Sequence, residues 1–217
     1  MAYEYAMRVA ITREISTSID RCELTHLSRQ AIDIPKARGQ HESYEHRLSQ
    51  AGCSIVRLPA PYDLPDSVFI EDVAVVFDEL AVVARPGAPS RRGETACVAE
   101  ALHAYRPLRH IEAPGTLDGG DVLTVGKQVF VGVSQRTNKA AISQLAQILQ
   151  PYGYQVCDVT VGGCLHLKSA VTAVSDDQLL INGAWVPADQ FRSFRLVEVD
   201  GSEPYAANAL RIGDWVI

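Results

Sequence analysis

A hairpin followed by a helix and a further strand recurs along this chain, and the recurrence limits the possible folds more than any single motif does. The first round has apolar runs at Val73–Phe77 and Leu80–Ala84. A helix follows, N-capped by Ser90, reaching about Tyr105 and striped by Val98, Ala101 and Leu102, and the strand Leu108–Glu112 closes the unit. The second runs Val122–Val125, the turn Gly126-Lys127-Gln128 and Val129–Val133, then a helix near 138–150 and the strand Gln155–Val159. The third leads from Lys168 through a weaker helix near Ala188–Phe194 to Leu196–Val199, and a fourth hairpin opens at Asn208. Hairpin starts at 72, 121, 168 and 208 lie 49, 47 and 40 residues apart. Units of this kind bury their apolar faces only against neighbours. The pattern predicts an α/β propeller of ββαβ repeats around a central channel, with polar strand ends lining one shared cavity.

The segments outside the repeats complete this expectation. A strand at 7–13, a helix at 40–51 and a strand at 54–58 supply part of another blade, and residues 14–38, lacking any period, read as a lid-like loop. After Trp215-Val216-Ile217 no helix or closing strand follows the last hairpin, so the last blade reads as incomplete, short by about 40 residues on the repeat length. The whole of 1–217 is expected to form one domain. Unpaired strand edges at the gap would favour self-association as a homodimer.

Composition narrows the function classes. In 217 residues a net charge of −6, with scattered basic positions, offers no footprint for nucleic acid or an acidic membrane surface. No apolar run approaches a transmembrane length and the N-terminus lacks a signal-peptide core, so a cytoplasmic protein with no membrane partner is expected. Cys22, Cys53, Cys97, Cys157 and Cys164 are odd in number and irregularly spaced, which indicates neither a disulfide framework nor a zinc knuckle. Cys53 and Cys157, inside strand-like runs, read as core. His41 and His46 are not on one helix face, so neither a metal nor a cofactor is expected.

The charged residues in apolar settings point to a small zwitterionic ligand. In PDSVFIED, Asp66, Glu71 and Asp72 enclose Val68-Phe69-Ile70, an arrangement suited to a cation. Neighbouring strand residues face opposite sides, which favours one of Glu71 and Asp72 over the other. Arg91, in the first turn of a helix, opposes the helix dipole and makes a better carboxylate receptor than a stabilising residue. Asp118, Asp121 and Arg136 sit at the ends of the second hairpin, where Asp121 reads as a structural turn residue and Arg136 either as a receptor or as a solvated residue beside an N-cap. His166, after Leu165, taken alone reads as a core histidine. Acids at 72 and 118 with arginines at 91 and 136 form a slot complementary to a molecule cationic at one end and zwitterionic at the other.

PDSVFIED, RPGAPSRRGE, APGTLDGGDVL, VFVGVSQRTN, LHLKS and YAAN, in that order between residues 65 and 208, resemble the dimethylarginine dimethylaminohydrolase family of the pentein, or guanidino-modifying, superfamily. The resemblance implies a five-bladed α/β propeller. It also implies hydrolysis of N-methylated arginine to citrulline and methylamine or dimethylamine by a cysteine, a histidine and an acid. On it, His166 matches the catalytic histidine and Asp118 the acid that holds the guanidinium. Asp72, with Glu71 less closely, matches the second guanidinium carboxylate; Arg91 and Arg136 match the carboxylate receptors, and Asp66 with the backbone of Leu24 the contacts to the amino end. The family's cysteine falls beyond Ile217 and none of the five cysteines matches it, so this form is expected to be inactive. The alternatives are a non-catalytic arginine or methylarginine binding protein and another guanidine-modifying hydrolase such as an arginine deiminase.

Overall fold

The structure is a computed structural model that describes residues 8–25 and 28–217. Met7 of the expected first strand and residues 26 and 27 of the expected lid lie outside the described residues. Contacts among the described residues cluster into two units, residues 8–24 with 28–70, and residue 25 with 71–217.

The first unit is a βαβ crossover. β1 (Arg8–Arg13) runs parallel to β2 (Cys53–Leu58), in register from Arg8↔Cys53 to Arg13↔Leu58, and α1 (Ile34–Gln50) connects them. α1 begins six residues before the expected Gln40. Pro35 starts the helix instead of closing the loop: near the first helical position its missing N–H costs nothing, and the Asp33 side chain accepts from Lys36 N at 3.0 Å as the cap. Glu45, on the buried face of α1, accepts from Thr12 Oγ1 at 2.6 Å and from Arg57 Nε at 3.0 Å, which ties the helix to both strands. Between β1 and α1 the described chain has a single turn of 3₁₀ helix, Ile19–Arg21, and Ser16 and Ser18 donate to the carbonyls of Pro61 and Tyr62.

The second unit contains the repeats. β3 (Ala74–Val76), β4 (Ala81–Val83) and β5 (Leu108–His110) form one three-stranded sheet, with α2 (Thr95–His103) between β4 and β5. β6 (Val122–Val125), β7 (Gln128–Val133) and β8 (Gln155–Thr160) form the next, with α3 (Lys139–Leu149) between β7 and β8. After α4 (Leu167–Ala170), β9 (Val171–Ala173), β10 (Gln178–Ile181) and β11 (Arg195–Glu198) form the third, and β12 (Arg211–Ile212) pairs with β13 (Trp215–Val216). In each three-stranded sheet the first pair is antiparallel and the second parallel, as ββαβ connectivity requires.

Alternation along the hairpin of the middle sheet shows why its strands carry apolar residues on both faces. Val122, Val129 and Val131 point into a core with Phe77, Leu80, Ile111 and Leu145, while Leu123, Val125 and Phe130 point into a second core with Leu167, Leu179, Ile181 and Phe191. The same sheet therefore serves both neighbours. β8, at its edge, leaves Cys157 exposed, which corrects the expectation of a core cysteine.

Local geometry departs from expectation in three places. Pro89–Glu94 is a 3₁₀ helix that Ser90 does not cap, and α2 starts only at Thr95. The helix of the third repeat shrinks to one 3₁₀ turn, Ala188–Phe191, behind Pro187. Cys164 and His166 lie in a loop before α4, not on a strand. No helix among the described residues is long and apolar enough to cross a membrane.

Candidate functional site

Within the second unit, five side chains far apart in sequence converge because each ends or begins a short element. Asp72 lies on the 3₁₀ turn Ile70–Val73 that feeds β3, Asp118 immediately precedes the turn Gly119–Asp121 that feeds β6, and His166 precedes α4. Arg91 lies in the 3₁₀ helix after β4, and Arg136 in the loop between β7 and α3. All five are buried. Glycine lets these segments touch: a Cβ on Gly120 would fall 2.7 Å from Asp72 Oδ1 and 2.9 Å from the His166 ring, and one on Gly119 would overlap the Glu71 carbonyl.

The imidazole is ringed by carboxylates. His166 Nε2 lies 3.6 Å from Asp72 Oδ1 and 3.9 Å from Asp118 Oδ2, and Nδ1 lies 3.4 Å from Asp121 Oδ2. Burial pushes the His166 pKa down, but Asp121, Asp72 and Asp118 outweigh it and hold the imidazolium above the usual imidazole range. Burial likewise pushes Asp72 up, yet His166 and Arg91 overcome it and keep the carboxylate below its usual range. Asp118 moves the other way: burial, reinforced by Asp72, raises its pKa against a hydrogen bond donated by Gly87 N at 2.9 Å. Among the described residues its Oδ2 makes no hydrogen bond, with Arg136 Nη1 3.7 Å away. This oxygen is an acceptor facing the imidazole and short of a donor, which a guanidinium N–H would supply.

The two arginines differ. Arg91 is enclosed by acids, donating from Nη1 to Asp72 Oδ2 at 2.7 Å and from Nε and Nη2 to Glu94 at 3.1 and 2.9 Å. Glu94, 1% exposed, thus fixes the guanidinium plane through two parallel bonds. Arg136 makes a longer pair with Asp118 and a 3.3 Å hydrogen bond to Thr25 Oγ1, so less of its fork is committed.

The structure thus brings together Asp72, Asp118, Arg91, Arg136 and His166. Glu71 points away, exposed and paired with Lys168 Nζ at 2.5 Å, because it occupies the outer side of the 3₁₀ turn whose inner side holds Asp72. Asp66 and Leu24 belong to the first unit, where buried Asp66 accepts from Glu23 N with both oxygens at 3.1 Å and Leu24 is exposed. Sequence reasoning missed Glu94 and the role of Asp121. Asp121 is wholly buried; its Oδ2 accepts from Ser134 Oγ and Thr137 Oγ1 at 2.7 Å each, and its Oδ1 from Leu167 N at 3.0 Å. The signal was the hydroxyls of VSQRTN opposite a second acid in LDGGD.

Cys164 Sγ donates to the His166 carbonyl at 3.3 Å, and burial together with Asp121 pushes its pKa to about 11, so it stays a thiol at neutral pH. Asp72, Asp118 and His166 each offer a donor atom within 4.8 Å of one another, close enough for a metal ion. Arg91 already holds the second Asp72 oxygen and Arg136 flanks Asp118, so the cluster suits a delocalised organic cation that accepts several weak contacts better than a compact divalent ion.

Comparison with known proteins places this geometry in context. The arginine deiminase family model matches residues 62–209. The chain is similar to N(G),N(G)-dimethylarginine dimethylaminohydrolase of Pseudomonas aeruginosa, 35% identical over 201 residues, which cover 92% of this chain and 78% of that protein. Its similarity to the protein of the same name from Streptomyces coelicolor is 41% identity over 172 residues, covering 79% of this chain and 67% of that one. Among solved structures, a mutant of the Pseudomonas aeruginosa enzyme complexed with citrulline superposes with a TM-score of 0.92 at 34% identity, covering 97% of this chain and 83% of that one. The N-terminal domain of a cyanobacterial arginine dihydrolase, at 16% identity and a TM-score of 0.84 over 95% of this chain and 81% of its own, shares the fold. The small ββαβ sheets are those of a pentein-type α/β propeller.

Proposed function

The chain belongs to the dimethylarginine dimethylaminohydrolase family, and from that premise we propose that its site binds N-methylated arginine for hydrolysis to citrulline and methylamine or dimethylamine. The observation that carries the reading is one buried imidazole with two carboxylates, Asp72 and Asp118, on its Nε2 side and two arginines behind them. Hydrolysis of a guanidinium needs a nucleophile at its central carbon, a proton for the departing amine and a base for the incoming water. Asp72 and Asp118 hold the guanidinium, with Asp118 Oδ2, which accepts no hydrogen bond among the described residues, taking one N–H. His166, kept protonated by its acidic surroundings, gives its proton to the leaving amine and then takes one from water. Arg136 receives the α-carboxylate, and Arg91 keeps Asp72 ionised.

The nucleophile is not among the five cysteines present, on this reading. Cys164, hydrogen-bonded to the His166 carbonyl, stays a buried thiol. These 217 residues are therefore expected to bind methylarginine without turning it over.

Calorimetry with asymmetric dimethylarginine, beside an assay for citrulline, tests both halves. Binding should be measurable in the chain and at least about tenfold weaker in Asp72→Asn, because a hydrogen bond to a charged group is lost. No binding would overturn the substrate assignment. Citrulline release that His166→Ala abolishes would instead show that one of the five cysteines attacks.

A further inference from the structure

We propose that Asp121 is the positioning residue for His166. It keeps the proton on Nδ1, so that Nε2, the nitrogen facing Asp72 and Asp118, is the one that exchanges protons with a bound guanidinium. The inference rests on the reading of His166 as the proton carrier, and it adds a residue with a role distinct from that of the acid at 118.

A histidine that moves protons must present one chosen nitrogen, and the partner of the other nitrogen makes the choice. Two of the three carboxylates around His166, Asp72 and Asp118, face Nε2 at 3.6 and 3.9 Å. Among the described residues Asp121 is the carboxylate that faces Nδ1, and at 3.4 Å it is nearer than either. The Nε2 side is where substrate donors and the leaving amine must compete for space, so Asp72 and Asp118 cannot serve as fixed partners of the ring. Asp121 can, because it lies behind it.

Its own orientation is set beforehand. Three donors hold it: the hydroxyls of Ser134 and Thr137 on Oδ2 and the backbone N–H of Leu167 on Oδ1. Leu167 directly follows His166, so one carboxylate grips the backbone beside the imidazole and faces the ring itself. Gly132 makes this possible. A Cβ there would fall 3.0 Å from Asp121 Oδ1 and 3.0 Å from Leu167 Cβ, closing the space into which the carboxylate fits. Among the described residues neither ring nitrogen makes a hydrogen bond of full geometry, so a small rotation of the ring converts the 3.4 Å approach to Asp121 into one.

A purely structural Asp121, tying the β7–α3 loop to the start of α4, would use the same three donors. Asparagine separates the two roles. Its carbonyl can keep the Leu167 N–H, and one N–H of its amide can donate to Thr137 Oγ1, whose hydroxyl turns to accept, which leaves the second N–H toward the ring. The fold is then retained while an N–H, not a carboxylate, confronts Nδ1. The ring must accept there, and its proton moves to Nε2.

Nitrogen-15 NMR of the imidazoles in the ligand-free 217-residue chain reads this directly. The neutral wild-type ring should be the Nδ1–H tautomer. In Asp121→Asn the tautomer should invert, and the His166 pKa should fall by about one unit or more, a factor of ten in proton affinity, because one of three carboxylates is gone while Asp72 and Asp118 remain. An Nε2–H tautomer in the wild type would overturn the proposal, as would a folded Asp121→Asn with tautomer and pKa unchanged. Should that variant not fold, the wild-type tautomer decides. No ligand is needed, so failure of methylarginine to bind would leave this measurement standing.

Discussion

Asp118 is the residue where function and stability oppose each other. Its side chain is wholly buried, one oxygen has no hydrogen-bond partner among the described residues, and burial with the Asp72 charge raises its pKa. A carboxylic acid whose folded pKa exceeds its unfolded one destabilises the fold once it is ionised. Asp118→Asn keeps the acceptor for Gly87 N and removes the charge, so its melting temperature at neutral pH should equal or exceed that of the wild type. Methylarginine binding should fall by about tenfold or more, for loss of a charged acceptor. Calorimetry on both properties checks it: a variant that melts lower and binds equally well would show that Asp118 is a structural acid. Asp72 carries no such conflict, because Arg91 and His166 already favour its charged form.

The elements that carry the site are loops, and glycine decides how closely they cross. Gly87 N–H holds Asp118, and a Cβ on Gly87 would fall 2.4 Å from the Arg136 carbonyl oxygen and 2.5 Å from its Cα. Backbone cannot yield as a side chain does, so Gly87→Ala should push the 85–88 loop off the 134–137 loop. The expected result is a loss of about 1–3 kcal/mol in stability with weakened methylarginine binding, read by urea denaturation and calorimetry. Unchanged values for both would show that the loops are free to separate. Such crossings were not legible in the sequence, whereas the sheets were. Val129–Val133 alternates between two cores beside a glycine turn, a local pattern, and so is the 122–133 hairpin it specifies. The start of α1 was misjudged for an equally local reason, since Pro35 can end a loop or open a helix and the Asp33 cap decides. Site residues followed the same division. Asp72 and Arg91 stood out as charges in apolar or dipole-opposing settings, but Asp121 looked like any hairpin-start aspartate until the fold brought His166 to it from 45 positions away.

For the whole molecule, these side chains set how stability depends on pH. Glu45, held by Arg57 and Thr12 against the cost of its burial, and Asp72, held by His166 and Arg91 against the same cost, have folded pKa values below their unfolded ones. Their contributions are present above the unfolded carboxylate range, about pH 4, and are lost as pH falls through the folded values. His166 has a folded pKa above its unfolded one, so its contribution is complete below about pH 6.5 and disappears as pH rises through the folded value. Asp118, raised by burial, has the opposite sign to the other two acids: it works against the fold as it ionises, from its unfolded value near pH 4 up through its folded one. The four groups together place the stability maximum between about pH 5 and 6.5. The urea midpoint should accordingly be higher at pH 6 than at pH 8, the reverse of what His166 buried as a neutral ring would give. His166→Gln should shrink the difference, because the Glu45 and Asp72 contributions are constant across that interval. A midpoint at pH 8 equal to or above that at pH 6 in the wild type would mean that the three carboxylates do not hold the imidazolium. It would remove the proton that the proposed reaction delivers to the leaving amine.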